Sequence, residues 1–153
     1  MAIALPLSGC GSSSSVPADI TLVSAPPDGG PAAGQETVAL GQTLVFRATV
    51  TMDGKPYGHL YGTKVLVAMP GEYGAPKTEA IYQNILNFVL PDGEITVTGT
   101  QVYPLDGLSA AKVAPAVRAI SGGTGAYAGV TGVLTSTQTT GRSRKQVFDF
   151  AGN

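Results

Sequence analysis

Short runs of alternating apolar and polar residues, rich in Val, Ile, Thr, Tyr and Phe, follow one another from residue 19 to residue 151. Gly, Pro and Asp separate these runs, and no long segment has the 3, 4 and 7 spacing of apolar residues that is typical of a helix. The pattern therefore predicts an all-β domain. Its strands are predicted at residues 19–25, 42–53, 60–69, 79–90, 94–103, 116–121, 132–141 and 144–151.

Several connections between these runs have recognisable turn chemistry. Asp53-Gly54 and Asp92-Gly93 place residues that tolerate positive φ between two alternating runs, so both are predicted to close hairpins. Residues 26–34 are rich in Pro and Gly and are predicted to form an exposed loop. Residues 108–114 are rich in Ala and precede Pro115, which is compatible with one or two helical turns.

Both faces of the run 79–90 are half apolar, which favours a barrel over a sandwich. A barrel strand can line a ligand cavity with one face and pack on a neighbouring subunit with the other. We therefore expect an eight-stranded antiparallel β-barrel, assembled as a homodimer or homotrimer. The face expected to point inward consists of Ala80, Tyr82, Asn84, Leu86, Phe88 and Leu90.

The composition limits the possible functions. A chain of 153 residues is long enough for one self-supporting core. Charged residues make up 12% and the formal net charge is -1, which argues against a nucleic-acid surface. One cysteine and one histidine supply neither an internal disulfide nor a zinc ligand set, so no metal is expected.

The N-terminal segment ends in Leu7-Ser8-Gly9-Cys10, which resembles the lipidation site of bacterial lipoproteins, and a Ser-rich tether follows. The segment before Cys10 has no Lys or Arg and is short for a complete signal. Residues 1–18 are thus expected to be a lipidated leader, a lid over the barrel mouth or a disordered extension, with the barrel at 19–153. Lipidation of Cys10 would place the protein at the cell envelope by a membrane anchor, and otherwise we expect it in the cytoplasm.

Residues 116–150 contain a strand that ends in Gly-Gly-Thr-Gly and is followed by an aromatic residue, two spaced glycines and an alternating strand. This segment, about a quarter of the chain, resembles the barrel family of allene oxide cyclases and dirigent proteins, and is closest in kind to bacterial polyketide cyclases of the spirotetronate type. The glycines are interpreted as structural, for positive φ and close backbone approach, with Tyr127 plugging one barrel end. The matching residues are Gly122, Gly123, Thr124, Gly125, Tyr127, Gly129 and Gly132.

The resemblance implies a cyclase or isomerase that uses no organic cofactor and folds an apolar, linear, polyketide-like substrate for ring closure, including [4+2] closure. Such a reaction needs a dry pocket that holds a near-attack conformer, and one or two hydrogen-bond donors that polarise a carbonyl. Tyr82 and Asn84 are the candidates for this polar role, beside Leu86 and Phe88 as substrate-binding residues. Packing alone is the alternative role for Tyr82.

Other candidate site residues lie elsewhere along the chain. His59 is a candidate general base because an imidazole titrates near neutrality, although an exposed and idle position is the alternative. Glu79 and Arg118 are the charged residues best placed for a role on a strand. The remaining substrate-binding candidates are expected to line the pocket or its mouth. Those on the seventh predicted strand point inward only if the register is the favoured one. The candidates are Tyr61, Met69, Tyr103, Leu134, Ser136 and Gln138.

The rival interpretation is a surface lipoprotein whose barrel binds an apolar ligand or a protein without catalysis. No GxSxG elbow or second histidine is present to build a hydrolase triad. An interior cavity of roughly 300 Å³ or more, with Tyr82, Asn84 or Gln138 pointing in, would favour catalysis over this rival.

Overall fold

The computed structural model of the protein describes residues 18–29, 39–104 and 113–152. The predictions for the leader and Cys10, and most of the helical segment predicted at 108–114, lie outside these residues. Two single turns of 3₁₀ helix, Gly125–Tyr127 and Thr140–Arg142, accompany the strands. The strands are β1 Ile20–Ser24, β2 Asp28–Gly29, β3 Thr43–Met52, β4 Lys55–Ala68, β5 Glu79–Leu90, β6 Gly93–Pro104, β7 Ala116–Gly123, β8 Gly132–Gln138 and β9 Arg144–Phe150.

All strand pairs are antiparallel, and the sheet has the order β1-β9-β8-β7-β6-β5-β4-β3-β2. β1 pairs with both β9 and β3, so eight strands close on themselves. The short β2 is an extra strand that pairs only with β3 in the described part of the sheet. The predicted eight-stranded antiparallel barrel is confirmed. None of the described helices is long and apolar enough to cross a membrane.

Both predicted hairpins are confirmed. The predicted loop at residues 26–34 was wrong at Asp28–Gly29, which pair with β3 as β2, and the other differences concern strand ends. Met52 pairs with Lys55 across Asp53 and Gly54, whose φ angles are 51° and 76°. β4 begins five residues before the predicted start because its first half pairs with β3. β8 ends at Gln138, since the next turn places Gly141 at a φ of 63°.

The inward face of β5 is the predicted one, because its even-numbered residues are all buried. Leu86, Phe88 and Leu90 meet residues from the other strands in a packed core at the barrel end where β5 turns into β6. There the Phe88 ring meets the Phe148 ring edge-on, with centroids 4.9 Å apart. Each such aromatic ring buried here contributes about 2 to 3 kcal/mol of hydrophobic stabilisation.

The Gly-Gly-Thr-Gly loop closes this packed end. Gly125 has a φ of 59°, and a Cβ there would lie 2.3 Å from the carbonyl oxygen of Asp92. The loop thereby places Tyr127, which is 5% exposed, over Phe150 with ring centroids 6.2 Å apart. Burial first, and then a hydrogen bond with Tyr57, raises the pKa of Tyr127 to about 12. The structural interpretation of the glycines and of Tyr127 as a plug is confirmed.

The outer surface of the barrel retains apolar side chains. Val45 is 66% exposed and Ile85 is 43% exposed, on the outer faces of β3 and β5. Such side chains suit contact with a second copy, and the predicted homodimer or homotrimer stays a prediction.

Candidate functional site

A cavity occupies the barrel end opposite to the Tyr127 plug, and all eight barrel strands contribute side chains to it. Its volume is about 90 Å³ and it is partly open, so the described residues enclose only a small chemical group. The apolar side of the wall includes Phe46, Ala48, Leu60 and Leu86. The polar side consists of Ser24, Asn84, Tyr103, Arg118, Ser136, Gln138, Arg142, Arg144 and Gln146.

Arg118 of β7 is the central polar residue of the cavity and is only 4% exposed. It donates a hydrogen bond from Nη2 to Oε1 of Gln101 on β6, and the hydroxyl of Tyr103 donates to the same oxygen over 2.8 Å. A Cβ at Gly99 would lie 2.9 Å from Cγ of Arg118, so the glycine allows the aliphatic stem to lie against β6. Burial lowers the pKa of Arg118, Tyr103 opposes that shift, and the charge of Arg144 lowers it further.

A second polar group joins β1 to β9 beside the cavity. Gln146 Nε2 donates to Oγ of Ser24 over 3.1 Å, and the Ser24 hydroxyl donates to the carbonyl oxygen of Arg144 at 3.4 Å. Ser24 and Gln146 are both buried. These contacts position the backbone of Arg144 at the cavity wall, with its guanidinium facing the cavity.

Lys64 of β4 borders the same region. Its ammonium lies over the rings of Tyr103 and Tyr82, 4.6 Å and 5.1 Å from their centroids. The two rings meet edge-on at 5.5 Å. Burial, followed by the charges of Arg144 and Arg142, lowers the pKa of Lys64 to about 8.

We expect Lys64→Met to change how stability depends on pH. Between pH 8 and 10.5 the unfolded chain retains the Lys64 proton that the folded chain has lost, so the free energy of unfolding rises with pH in this window. The rise is worth about 2 kcal/mol after allowance for solvent screening, and Lys64→Met should lack it. Urea denaturation at pH 7 and pH 10.5 measures the difference.

The matched control for this prediction is Lys145→Met, which makes the same change at an exposed position of β9. It should leave the pH dependence of the wild type in place. If the free energy of unfolding changed equally with pH in Lys64→Met and Lys145→Met, the ammonium of Lys64 would be solvated rather than buried.

The structure brings together six of the predicted site residues at the cavity wall: Asn84, Leu86, Tyr103, Arg118, Ser136 and Gln138. Asn84 is buried, and its Nδ2 donates to the carbonyl oxygen of Tyr82 over 3.0 Å. The favoured register of β8 is the observed one, since Leu134 and Ser136 are fully buried.

The other predicted residues lie outside the cavity wall. Tyr82 packs behind Tyr103 in a small cluster that also contains Met69. Phe88 and Leu134 belong to the packed core below the cavity. Burial, and then the neighbouring Tyr103, raises the pKa of Tyr82, so its phenol stays protonated at neutral pH.

His59 and Tyr61 are on the outer face of β4. Because Leu60 points into the cavity, its two neighbours on the strand must point away from it. His59 is exposed and its ring lies 6.3 Å from that of Tyr61, 48% exposed. The structure therefore places His59 and Tyr61 outside this cavity, and the position of His59 agrees with the exposed alternative. Glu79 likewise lies on the outer face of β5.

Sequence reasoning selected five of the nine polar residues of the cavity wall, Arg118 among them, and missed the other four together with two polar residues at its border. Alternation along the strands could have indicated two of them. Lys64 lies on the same strand face as Leu60 and Leu66, and Gln101 lies on the same face as Ile95 and Val97. Because Lys and Gln side chains are more often exposed, a sequence pattern alone does not identify the ones that are buried. The missed residues are Ser24, Lys64, Gln101, Arg142, Arg144 and Gln146.

The described residues contain no group of three or more His, Cys, Asp or Glu side chains that could hold a metal ion. The functional groups available at the cavity are therefore arginine, amide, hydroxyl and phenol groups. Such groups can donate hydrogen bonds and stabilise negative charge on a ligand.

The sequence matches no protein-family profile and no curated protein sequence. Among solved structures it is similar to a pyocyanin demethylase, with a TM-score of 0.64 and 23% identity over 88% of this chain and 100% of that chain. It is also similar to a nonspecific heme-binding cyclase that catalyses a [4+2] cycloaddition during neoabyssomicin biosynthesis, with a TM-score of 0.56 and 14% identity. That match covers 89% of this chain and 65% of the cyclase chain. These likenesses show the fold alone, and the difference between the two reactions leaves this chain's chemistry to its own side chains.

Proposed function

We propose that the barrel is an enzyme of the allene oxide cyclase and dirigent kind, which binds an apolar linear substrate at its open end and promotes intramolecular ring closure without a cofactor. The observation that carries the proposal is the asymmetry of the interior. One end is packed shut by aromatic rings, while the other holds a cavity where polar donors face apolar side chains. The [4+2] cyclase among the structural neighbours supports a reaction of this class.

The side chains at the cavity favour carbonyl activation over acid-base chemistry. Among the described residues that line it, none is Asp, Glu or His. Arg118 and Asn84 carry N–H groups, which can stabilise the charge that develops on a polarised carbonyl oxygen. The Tyr103 hydroxyl donates to Oε1 of Gln101 and holds that side chain in place beside Arg118. Ring closure of a folded chain needs no more than this, since holding the reacting ends together supplies much of the rate enhancement.

The test is incubation of a linear precursor that carries a diene and an alkene. A [4+2] closure converts two π bonds into two σ bonds within one molecule, so the product has the mass of the substrate. A new chromatographic peak of unchanged mass, with loss of diene absorbance and a rate above that of a protein-free control, is the expected result. Products of altered mass, or a rate equal to the control, would count against the proposal.

We expect Tyr103→Phe to lower turnover of such a substrate about 10- to 100-fold, because the Tyr103 hydroxyl holds Oε1 of Gln101, the acceptor that positions Arg118. The phenol of Tyr103 is at the cavity wall, whereas that of Tyr82 lies behind it. Tyr82→Phe is thus the matched control, with a smaller effect on the rate constant kcat. Equal losses for both variants would mean that the tyrosine pair acts through packing.

A second candidate function is supported by the cavity volume. About 90 Å³ is below the roughly 300 Å³ that would favour catalysis. A non-catalytic barrel that binds part of an apolar molecule fits this volume, and lipidation of Cys10 would hold it at a membrane surface. Substrate binding without any gain in rate, together with a lipidated Cys10 in the intact mass of native protein, would favour this candidate.

A further inference from the structure

Four cationic side chains gather at the open end of a barrel whose sequence has a net charge of -1. Arg118, Arg142 and Arg144 line the cavity, and Lys64 lies over the ring of Tyr103 at its border. Their charges act on one another: those of Arg142 and Arg144 act on Lys64, and that of Arg144 acts on Arg118. This is a concentration of positive charge that the packing of a barrel does not require.

The described part of the chain supplies no acidic side chain to the cavity wall that could neutralise these charges. Arg118 is 4% exposed, and its Nε and Nη1 have no hydrogen-bond partner among the residues described, although Nη2 donates to Gln101. Nη1 of Arg144 is likewise without one in the same set of residues. Gly99 leaves the space in which the Arg118 stem reaches this position.

A buried guanidinium is unfavourable unless it is paired and hydrogen-bonded. Arg118 and Arg144 line a partly open cavity, so a molecule that enters it comes beside these guanidinium groups. The opposite wall, formed by Phe46, Leu60 and Leu86, is apolar and suits a hydrocarbon or aromatic body. The cavity thus offers one charged and one apolar surface to the same molecule.

We propose that the ligand of this cavity carries an anionic oxygen group, a carboxylate or an acidic enol, which binds to Arg118 with Arg144 and Arg142 beside it, on an otherwise apolar body. This inference rests on the proposed function insofar as the open end is the substrate site, and it specifies the substrate class. The anionic head enters the cavity, and the apolar body extends along Phe46 towards the mouth.

The experiment compares acids with amides of the same shape by isothermal titration calorimetry on the full chain: 2-naphthoate against 2-naphthamide, and decanoate against decanamide. Each pair differs only in the charged oxygen group. The wild type should bind at least one acid about 10- to 100-fold more tightly than its amide, as expected for hydrogen bonds to a charged group. Equal affinities within both pairs, or no binding of either acid, would overturn the proposal.

Arg118→Gln should abolish the preference for the acid, and Arg118→Lys should retain part of it because the charge remains. Arg47→Gln is the matched control, since it removes the same charge from an exposed position on β3. A preference that persists in Arg118→Gln would overturn the assignment. Circular dichroism of each variant establishes that it is folded, and Arg144→Gln gives a second test if Arg118→Gln is not.

The sequence contains two acidic side chains outside the described residues, Glu36 and Asp106. If Glu36→Gln or Asp106→Asn created an acid preference that the wild type lacks, a chain carboxylate rather than a ligand would be the partner of Arg118. Because binding is measured without turnover, the outcomes separate the two proposals. Acid preference without ring closure would contradict only the cyclase, and ring closure without acid preference would contradict only the anionic ligand.

Discussion

Gly132→Ala will leave the protein largely destabilised, with a loss of about 4 kcal/mol in the free energy of unfolding. Gly132 has a φ of 143°, where a side chain is strained, and a Cβ there would lie 2.1 Å from the carbonyl oxygen of Asp149. The neighbouring Phe150 Cα and Ala151 nitrogen are also backbone atoms, 2.9 Å and 3.0 Å away. No side-chain rotation can relieve these contacts, so β8 and β9 must separate. A domain of this size has roughly 5 to 15 kcal/mol of stability to lose.

The control for this substitution is Gly129→Ala, in the same loop region. Gly129 has a φ of 77°, and a Cβ there would meet nothing within 4 Å. Only the backbone penalty of about 1 kcal/mol then remains. Urea denaturation followed by circular dichroism measures both variants, and equal losses would show that the β8 and β9 backbones are not in close contact at Gly132.

Most of the barrel could be predicted because strand faces are encoded locally. Along β5 every second residue is apolar or amide-bearing and buried, and the alternation has no break from Glu79 to Leu90. Asp53-Gly54 and Asp92-Gly93 added the hairpins through backbone angles that few other residues adopt. Period-2 alternation and turn chemistry are properties of short segments, so one sequence suffices to detect them.

The start of β4 could not be predicted because Gly58 has a role that is not local. A glycine beside Pro56 and Tyr57 is typical of a turn, but Gly58 is inside the strand. A Cβ there would lie 2.3 Å from the carbonyl oxygen of Val89, so the residue allows close packing of β4 against β5. Because the predicted strand began after His59, alternation could not assign His59 to the inward or the outward face, and its outward orientation was missed.

The site residues on strands with clear alternation could be predicted, whereas the cationic cluster, apart from Arg118, could not. Leu86, Asn84 and Ser136 follow from strand alternation, which assigns them to the inward face. The cluster of Lys64, Arg118, Arg142 and Arg144 depends on the barrel bringing three separated segments together around one point. Long-range closure of this kind leaves no pattern in any single segment, and charged residues are otherwise expected at the surface.

Arg118→Met will stabilise the ligand-free protein while it removes the anionic ligand's main contact. The substitution replaces a buried, incompletely hydrogen-bonded charge by an apolar chain that follows the same stem over Gly99. Gln101 Oε1 keeps the hydrogen bond from Tyr103, so no new acceptor is left unpaired. The free energy of unfolding should rise by about 1 to 4 kcal/mol, measured by urea denaturation without ligand, with Arg47→Met as the exposed control.

A fall in the free energy of unfolding on Arg118→Met would show that Arg118 is paired with a carboxylate of the chain. If a carboxylate of the chain neutralised Arg118, Arg118→Met would strand that carboxylate and lower stability by about 3 to 5 kcal/mol. A rise in stability combined with a loss of acid binding is therefore the result that separates a guanidinium held for a ligand from one held for the fold. Residues that serve a ligand are commonly unfavourable for stability before the ligand arrives, and we expect Arg118 to be such a residue.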